Sequence, residues 1–259
     1  MSGWYCPSSV RPPTEAHRMY RADPRSPATA TGLVVAVPAA VLLSVAGWPV
    51  GVAALVGVAI ALLVVGPVAR RASGRVRAWI GGRRATVEEF PRLHNTVDGL
   101  CLIHGIDPPD LYVLDVPTGN AAVLGDRHRA VLIVTTGAVD SLDLVGLEAL
   151  VAHAVARCRD GDLADETAAA LFGRVPVIGQ LARRLGDRDR AMAADLAGAE
   201  LTRYPPGMQH ALTTLSGLGS TVVGAPISTA HLWLLRPDGE EATATHPPVD
   251  ERVAALGEL

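Results

Sequence analysis

The sequence predicts an α+β domain carried behind an N-terminal two-helix transmembrane hairpin. Two observations predict it. Residues 26–69 contain no charged side chain. After them come one amphipathic helical pattern, three short β-type runs and then a succession of helices, an order that gives a small sheet packed on helices and not a repeated strand–helix alternation.

The charge-free stretch is too long for one membrane span and suits two, since roughly 20 apolar residues rising 1.5 Å each cross about 30 Å of hydrocarbon. Gly47-Trp48-Pro49 supplies the break, a turn signal with an interfacial aromatic. Helices are expected over 28–46 and 49–68, within a hairpin over 28–68. Residues 1–27 precede it as a tail, and 69–85 follow as a basic juxtamembrane linker. Arg11, Arg18, Arg21 and Arg25 lie before the hairpin. Arg70, Arg71, Arg75, Arg77, Arg83 and Arg84 lie after it, and no acidic residue intervenes before Glu88. Arginine flanking both ends and an uncharged turn place the tail and the main domain on the cytoplasmic side of the cell (inner) membrane. Ala53, Gly57 and Ala61 form a stripe of small residues on which the first helix can pack closely, and Pro38 is expected to kink that helix.

Residues 86–259 form the main domain. Val87, Phe90, Leu93, Val97, Leu100 and Cys101 recur at helical steps over 86–104, and Gly105 with Asp107-Pro108-Pro109 ends the run. Strands are expected at Leu111–Val116, Asn120–Leu124 and Ala130–Thr135, the last two joined by a hairpin loop at Gly125–His128. Thr136-Gly137 closes the third. A helix follows over Asp143–Arg159, further helices fill 163–218, and the tail is helical from Val249. Net charge is −3, so no global basic field points to nucleic acid. All 23 basic residues are arginine. Cys6, Cys101 and Cys158 are odd in number and scattered, which gives reduced thiols and no disulfide framework.

Residues Gly146–Asp162, GLEALVAHAVARCRDGD, resemble the active-site helix of the HtpX-type and CAAX prenyl protease zinc metallopeptidases, which are gluzincins. Their motif is HExxH followed by a polar stretch ending in Asp. Two His one turn apart chelate zinc and the Glu activates its water. In this register His153 keeps the first ligand position and Asp162 keeps the Asp. Ala154 stands where the family has its general base, and Arg157 where it has the second His. Residues Arg190–Leu201 resemble the later helix that supplies the third ligand, with Asp195 retained and Ala191 at the ligand position. Pro117–Ala121 resembles the Asn-Ala segment leading into the strand that borders the substrate cleft, which makes Asn120 and Ala121 the peptide edge. Thr245-His246-Pro247-Pro248, with Arg252 and Leu256, resembles the family's closing motif. HtpX carries two further spans after its active-site helix. Here Leu163–Leu185 holds Asp165, Glu166 and Arg174 and is too broken to span.

The resemblance implies a membrane-anchored member of the family without its chemistry: a pseudoprotease acting as a binding or regulatory module. Zinc enters only through the resemblance, and no cofactor is expected. One imidazole does not hold Zn²⁺ usefully, Arg157 brings a permanent positive charge, and the base is missing. The expected partners are the lipid bilayer and other membrane proteins or extended peptides, the last adding as a strand at Asn120–Leu124. Two other functions stay open: an active zinc endopeptidase of protein quality control with a non-standard metal site, and a structural subunit of a membrane complex. Cys158 lies about 140° around the helix from His153, which suits a small buried hydrophobe. Arg157 is expected to pair with Asp162 or Asp195.

Overall fold

The computed structural model describes residues 36–37, 39–126, 129–159, 163–173, 188–239 and 246–259. The charge-free stretch turns back on itself. Residues 39–45 are helical, Gly47 adopts φ 89°, and helix α1 (Val50–Arg70) starts directly after Pro49. The small-residue stripe forms the contact. Ala53 is buried, and a Cβ on Gly57 would lie 2.6 Å from the Ala36 carbonyl oxygen and 3.2 Å from the Ala40 nitrogen. Only glycine lets the two backbones meet there. Leu42, Val45, Val50, Leu55 and Leu63 point outward as exposed apolar side chains. Side chains at 61–62, 64–66 and 68–70 lie outside the described set. Among the described residues no helix is long and apolar enough to cross a membrane. The spanning therefore rests on the sequence. The tail 1–27, residues 28–35 and Pro38 lie outside the described residues.

The basic stretch 69–85, read as a linker, is part of the domain. Helix α2 (Ala72–Ile80) buries Ala72, Val76 and Ile80, an apolar stripe at four-residue spacing that the surrounding arginines mask in sequence. Strand β1 (Arg83–Arg84) then joins the sheet. Helix α3 (Pro91–His104) starts later than the expected 86 because Pro91 occupies its first turn. It ends where Gly105, at φ 65°, donates its N–H to the Cys101 carbonyl.

Strands β2 (Asp110–Leu114), β3 (Ala121–Gly125) and β4 (Ala130–Thr135) complete the sheet, in the order β1-β2-β4-β3. β4 runs parallel to β2 and antiparallel to β3, with Ala122 opposite Ile133. The β3–β4 hairpin is tied at Asp126, whose N–H donates to the Arg129 carbonyl at 2.9 Å. Both faces of the sheet are covered. Val113, Val123, Leu132 and Val134 face one apolar cluster, and Ala122, Leu124, Val131 and Ile133 face a second that includes Val76, Ile80 and Trp233. A sheet buried on both faces loses the polar–apolar alternation of a half-exposed one, so these runs read as continuous hydrophobics.

Helix α4 (Thr136–Ser141) is capped by Thr135, whose hydroxyl accepts from the Ala138 N–H. Helix α5 (Leu144–Arg159) is started by Asp143, whose carboxylate accepts from the Gly146 N–H at 2.7 Å. Helices α6 (Leu163–Phe172), α7 (Arg188–Thr202) and α8 (Pro205–Gly217), a 3₁₀ turn (Ile227–Leu232) and α9 (Val249–Leu256) follow. α5 is the spine: with the exception of Glu148, every residue from Gly146 to Ala156 is buried. It crosses α7 very closely at Gly198, where a Cβ would lie 2.8 Å from the backbone nitrogen of His153. Gly198→Ala is therefore expected to push the helices apart at His153 and to cost about 1–3 kcal/mol, the usual range for overpacking. A denaturant midpoint unchanged from wild type would refute this.

Candidate functional site

α5 places His153 and Arg157 one turn apart on one face, as the motif register requires. α7 brings Asp195 to His153, and α9 brings Arg252 to Asp195. The His153 imidazole is buried, and its Nδ1 lies 2.9 Å from Asp195 Oδ1. Arg252 grips the same carboxylate with two bonds, Nε to Oδ2 at 2.6 Å and a terminal nitrogen to Oδ1 at 2.8 Å. This fork is the strong geometry for guanidinium and carboxylate. Burial alone would push the Asp195 carboxyl up. The charge of Arg252, with hydrogen bonds from His153 and Arg252, holds it below the ordinary carboxylate range. Burial pushes His153 below its ordinary value despite Asp195, so the ring is neutral at pH 7. A neutral ring beside an ionised carboxylate carries its proton on Nδ1 and donates it to Asp195, which leaves Nε2 unprotonated. That is the tautomer of a metal-ligating histidine with its supporting carboxylate.

The other positions do not complete a metal site. Ala154 is buried and offers no base. Ala191, at the third ligand position, has no donor atom. Arg157 does not take Asp195 as its partner, because that carboxylate is committed to Arg252 and His153. Asp162, the other expected partner, lies outside the described residues. Arg157 instead forms an ion pair with Glu166 on α6, a residue three positions into that helix. It also donates to the Leu232 carbonyl at 2.9 Å and to the His231 carbonyl at 3.4 Å. Arg190 on α7 reaches the other Glu166 oxygen at 3.0 Å, and His231 Nε2 lies 2.9 Å from the Glu166 carbonyl. Burial raises the Glu166 carboxyl, and the charges of Arg157 and Arg190, with the neighbouring His231 and the hydrogen bond from Arg157, more than reverse it. Zinc does not fit this donor set: one imidazole, two alanines and a guanidinium already paired with a carboxylate. Among the described residues no group of three His, Cys, Asp or Glu side chains could hold a metal ion. Cys158 is packed against the core, and burial pushes its thiol up to about 12, so it is a protonated small hydrophobe at neutral pH.

β3 is an edge strand, as expected, but the part read as the peptide edge is occupied. Asn120 is fully buried. Its amide nitrogen donates to the carbonyls of Ser220 and Leu235 at 2.8 and 2.9 Å. The Ala121 carbonyl accepts from the Leu234 N–H at 2.8 Å, and Ala122 bridges to Trp233. Beyond them, the Gly125 N–H donates to Thr167 Oγ1 of α6 at 2.9 Å. His246 is buried beside this segment, with Nε2 2.9 Å from the Trp233 carbonyl, and burial lowers it to about 4.

Glu166, His231 and the segment 232–235 are not legible in the sequence as site residues. No spacing rule links them to Arg157. Arg252 is visible there only as part of the closing motif.

The depressed histidines set a pH dependence. Their folded values lie below the ordinary 6.5, so the folded state binds fewer protons than the unfolded one between the two values. Their stabilisation is complete above about pH 6.5 and is lost as pH falls through the folded values. His246 alone, falling from 6.5 to about 4, accounts for on the order of 3 kcal/mol. Urea denaturation is expected to show lower stability at pH 4.5 than at pH 7, and a flat profile would contradict the assignment of a buried neutral His246.

Residues 124–259 match the model of peptidase family M48. A protein from Dictyoglomus turgidum described as "Protease HtpX homolog" is 30% identical over 218 residues, 68% of this chain and 72% of that protein. One so described from Dictyoglomus thermophilum is 32% identical over 217 residues, 68% and 72% of the two chains. Another from Acidiphilium cryptum is 30% identical over 271 residues, covering 87% of this chain and 94% of its own. No solved structure matches.

Proposed function

The chain belongs to peptidase family M48, and from that premise we propose that it is a membrane-anchored pseudoprotease, a family member whose site holds the fold together instead of a zinc ion. The observation that carries this reading is Arg157. It stands at the second ligand position, and its guanidinium is spent on Glu166 and the Leu232 carbonyl. The bilayer anchoring is supported by the charge-free stretch 26–69 and by the exposed apolar side chains of the helical hairpin. Strand addition of a foreign peptide at Asn120–Ala121 is disfavoured, because Leu234 and Asn120 itself already use those groups. Partner binding then falls to other surfaces of the domain or hairpin.

Metal analysis of the full-length protein purified in detergent tests the reading. The expected result is well below one zinc per chain, with no change in His153→Ala and no cleavage of an unfolded protein such as casein. One zinc per chain that His153→Ala removes would sink it.

A second reading, an active zinc endopeptidase with a non-standard site, draws on two observations. The relatives are described as proteases, and His153 keeps the carboxylate-supported tautomer that a ligand needs. The same zinc measurement decides between the two.

A further inference from the structure

Residues 231–237 are neither helix nor ladder strand beyond Leu232, yet each of their carbonyls has a donor. Arg157 donates to the carbonyls of His231 and Leu232. His246 lies 2.9 Å from the Trp233 carbonyl, and its neutral Nε2–H donates there. Arg252 donates to Leu234 at 2.8 Å and Asn120 to Leu235 at 2.9 Å. Ser220 donates to Arg236 and the Val222 N–H to Pro237. The segment runs antiparallel to β3 through the Ala122–Trp233 bridge, and the Leu234 N–H donates to the Ala121 carbonyl. The Leu235 N–H donates to the Asn120 side-chain oxygen at 3.1 Å. Leu232, Trp233, Leu234 and Leu235 are all buried.

This is how an extended peptide sits on a sheet edge: main-chain bonds to the edge strand and side-chain donors to the outward carbonyls. The donors are not a random set. Arg157 occupies a former ligand position, and His246 and Arg252 belong to the closing motif. We propose that the degenerate site is a clasp for an extended peptide backbone and that its resident ligand is the chain's own segment 231–235. The substitution at position 157 then has a positive role. A guanidinium reaches two successive carbonyls and a carboxylate at once, which an imidazole cannot do. The segment needs no turnover, so the clasp needs no metal and no base. Because the clasp fills the edge, a competing peptide must first displace four buried apolar side chains.

This inference rests on the non-catalytic reading of the site, and zinc content of the same preparations tests that reading separately. The test is amide hydrogen exchange, followed by mass spectrometry on the full chain in detergent micelles. Arg157→Met keeps the apolar stem and removes the donors. Exchange over residues 231–236 is expected to rise at least about 10-fold, while β4 keeps its protection from its pairing with β2. If Arg157→Met does not fold, Arg157→Lys, which keeps the charge but not the forked reach, and His246→Ala are read in the same way. Unchanged exchange over 231–236 in every variant that folds overturns the clasp. So does a rise spread evenly over the whole domain, which would mark Arg157 as a general stabiliser only.

Discussion

Asp195→Ala is expected to lower the unfolding free energy by about 3–5 kcal/mol, the range for removing one partner of a buried ion pair. The side chains of Asp195 and Arg252 are each 1% exposed. The cost comes less from the lost bonds than from what is left behind. Among the described residues Arg252 would keep its charge in the core with the Leu234 carbonyl as its remaining acceptor, and His153 would lose the group that receives its Nδ1 proton. Asp195→Asn is expected to be milder in shape but still severe, because the amide is neutral and its NH2 would be a donor facing a donor where a carboxylate oxygen now accepts. Chemical denaturation of the solubilised protein, or a Tm shift, measures the difference. A loss under 1 kcal/mol for Asp195→Ala would mean that water or a shifted Arg252 compensates, and the buried pair would not be the keystone of the fold.

Arg157→Ala is expected to cost about 2–4 kcal/mol, somewhat less than Asp195→Ala, because Glu166 would retain Arg190 as a counter-charge. The side chains of Arg157 and Glu166 are 11% and 13% exposed, so solvent screens them only slightly. Glu166→Gln is expected to cost less than Arg157→Ala, since Arg157 would keep its carbonyl acceptors. In a double-mutant cycle the two residues are expected to couple by more than about 1 kcal/mol, as contacting charges in one network do. Additive losses would show that each acts through its other neighbours and that the pair is incidental.

Much of the architecture is legible in the amino-acid pattern alone. Ala130–Thr135 is a strand with the expected bounds, and the helix expected over Asp143–Arg159 begins one residue later because Asp143 is its cap. The convergence of His153 and Asp195 follows from the resemblance, because the motif fixes which faces of two helices meet. What stays hidden in the sequence has a physical pattern. The arginines of 69–85 suggest a linker, but Ala72, Val76 and Ile80 between them carry the helix into the core. The partner of Arg157 is hidden because an ion pair between neighbouring helices depends on their crossing, which no local spacing encodes. The run Leu232–Leu235 is a short apolar stretch with neither the alternation of a half-exposed strand nor helical spacing. Its carbonyls are satisfied one at a time by side chains drawn from Asn120 to Arg252, so no periodicity betrays it.

The double grip of Arg252 on Asp195 also bears on what the neighbouring positions must supply. A metal centre whose supporting carboxylate is neutralised only by the metal would strand a buried negative charge when its ligands mutate. Here the neutralising charge comes from the same polypeptide. The charge balance of the carboxylate beside His153 therefore does not depend on which side chains stand at positions 154, 157 and 191.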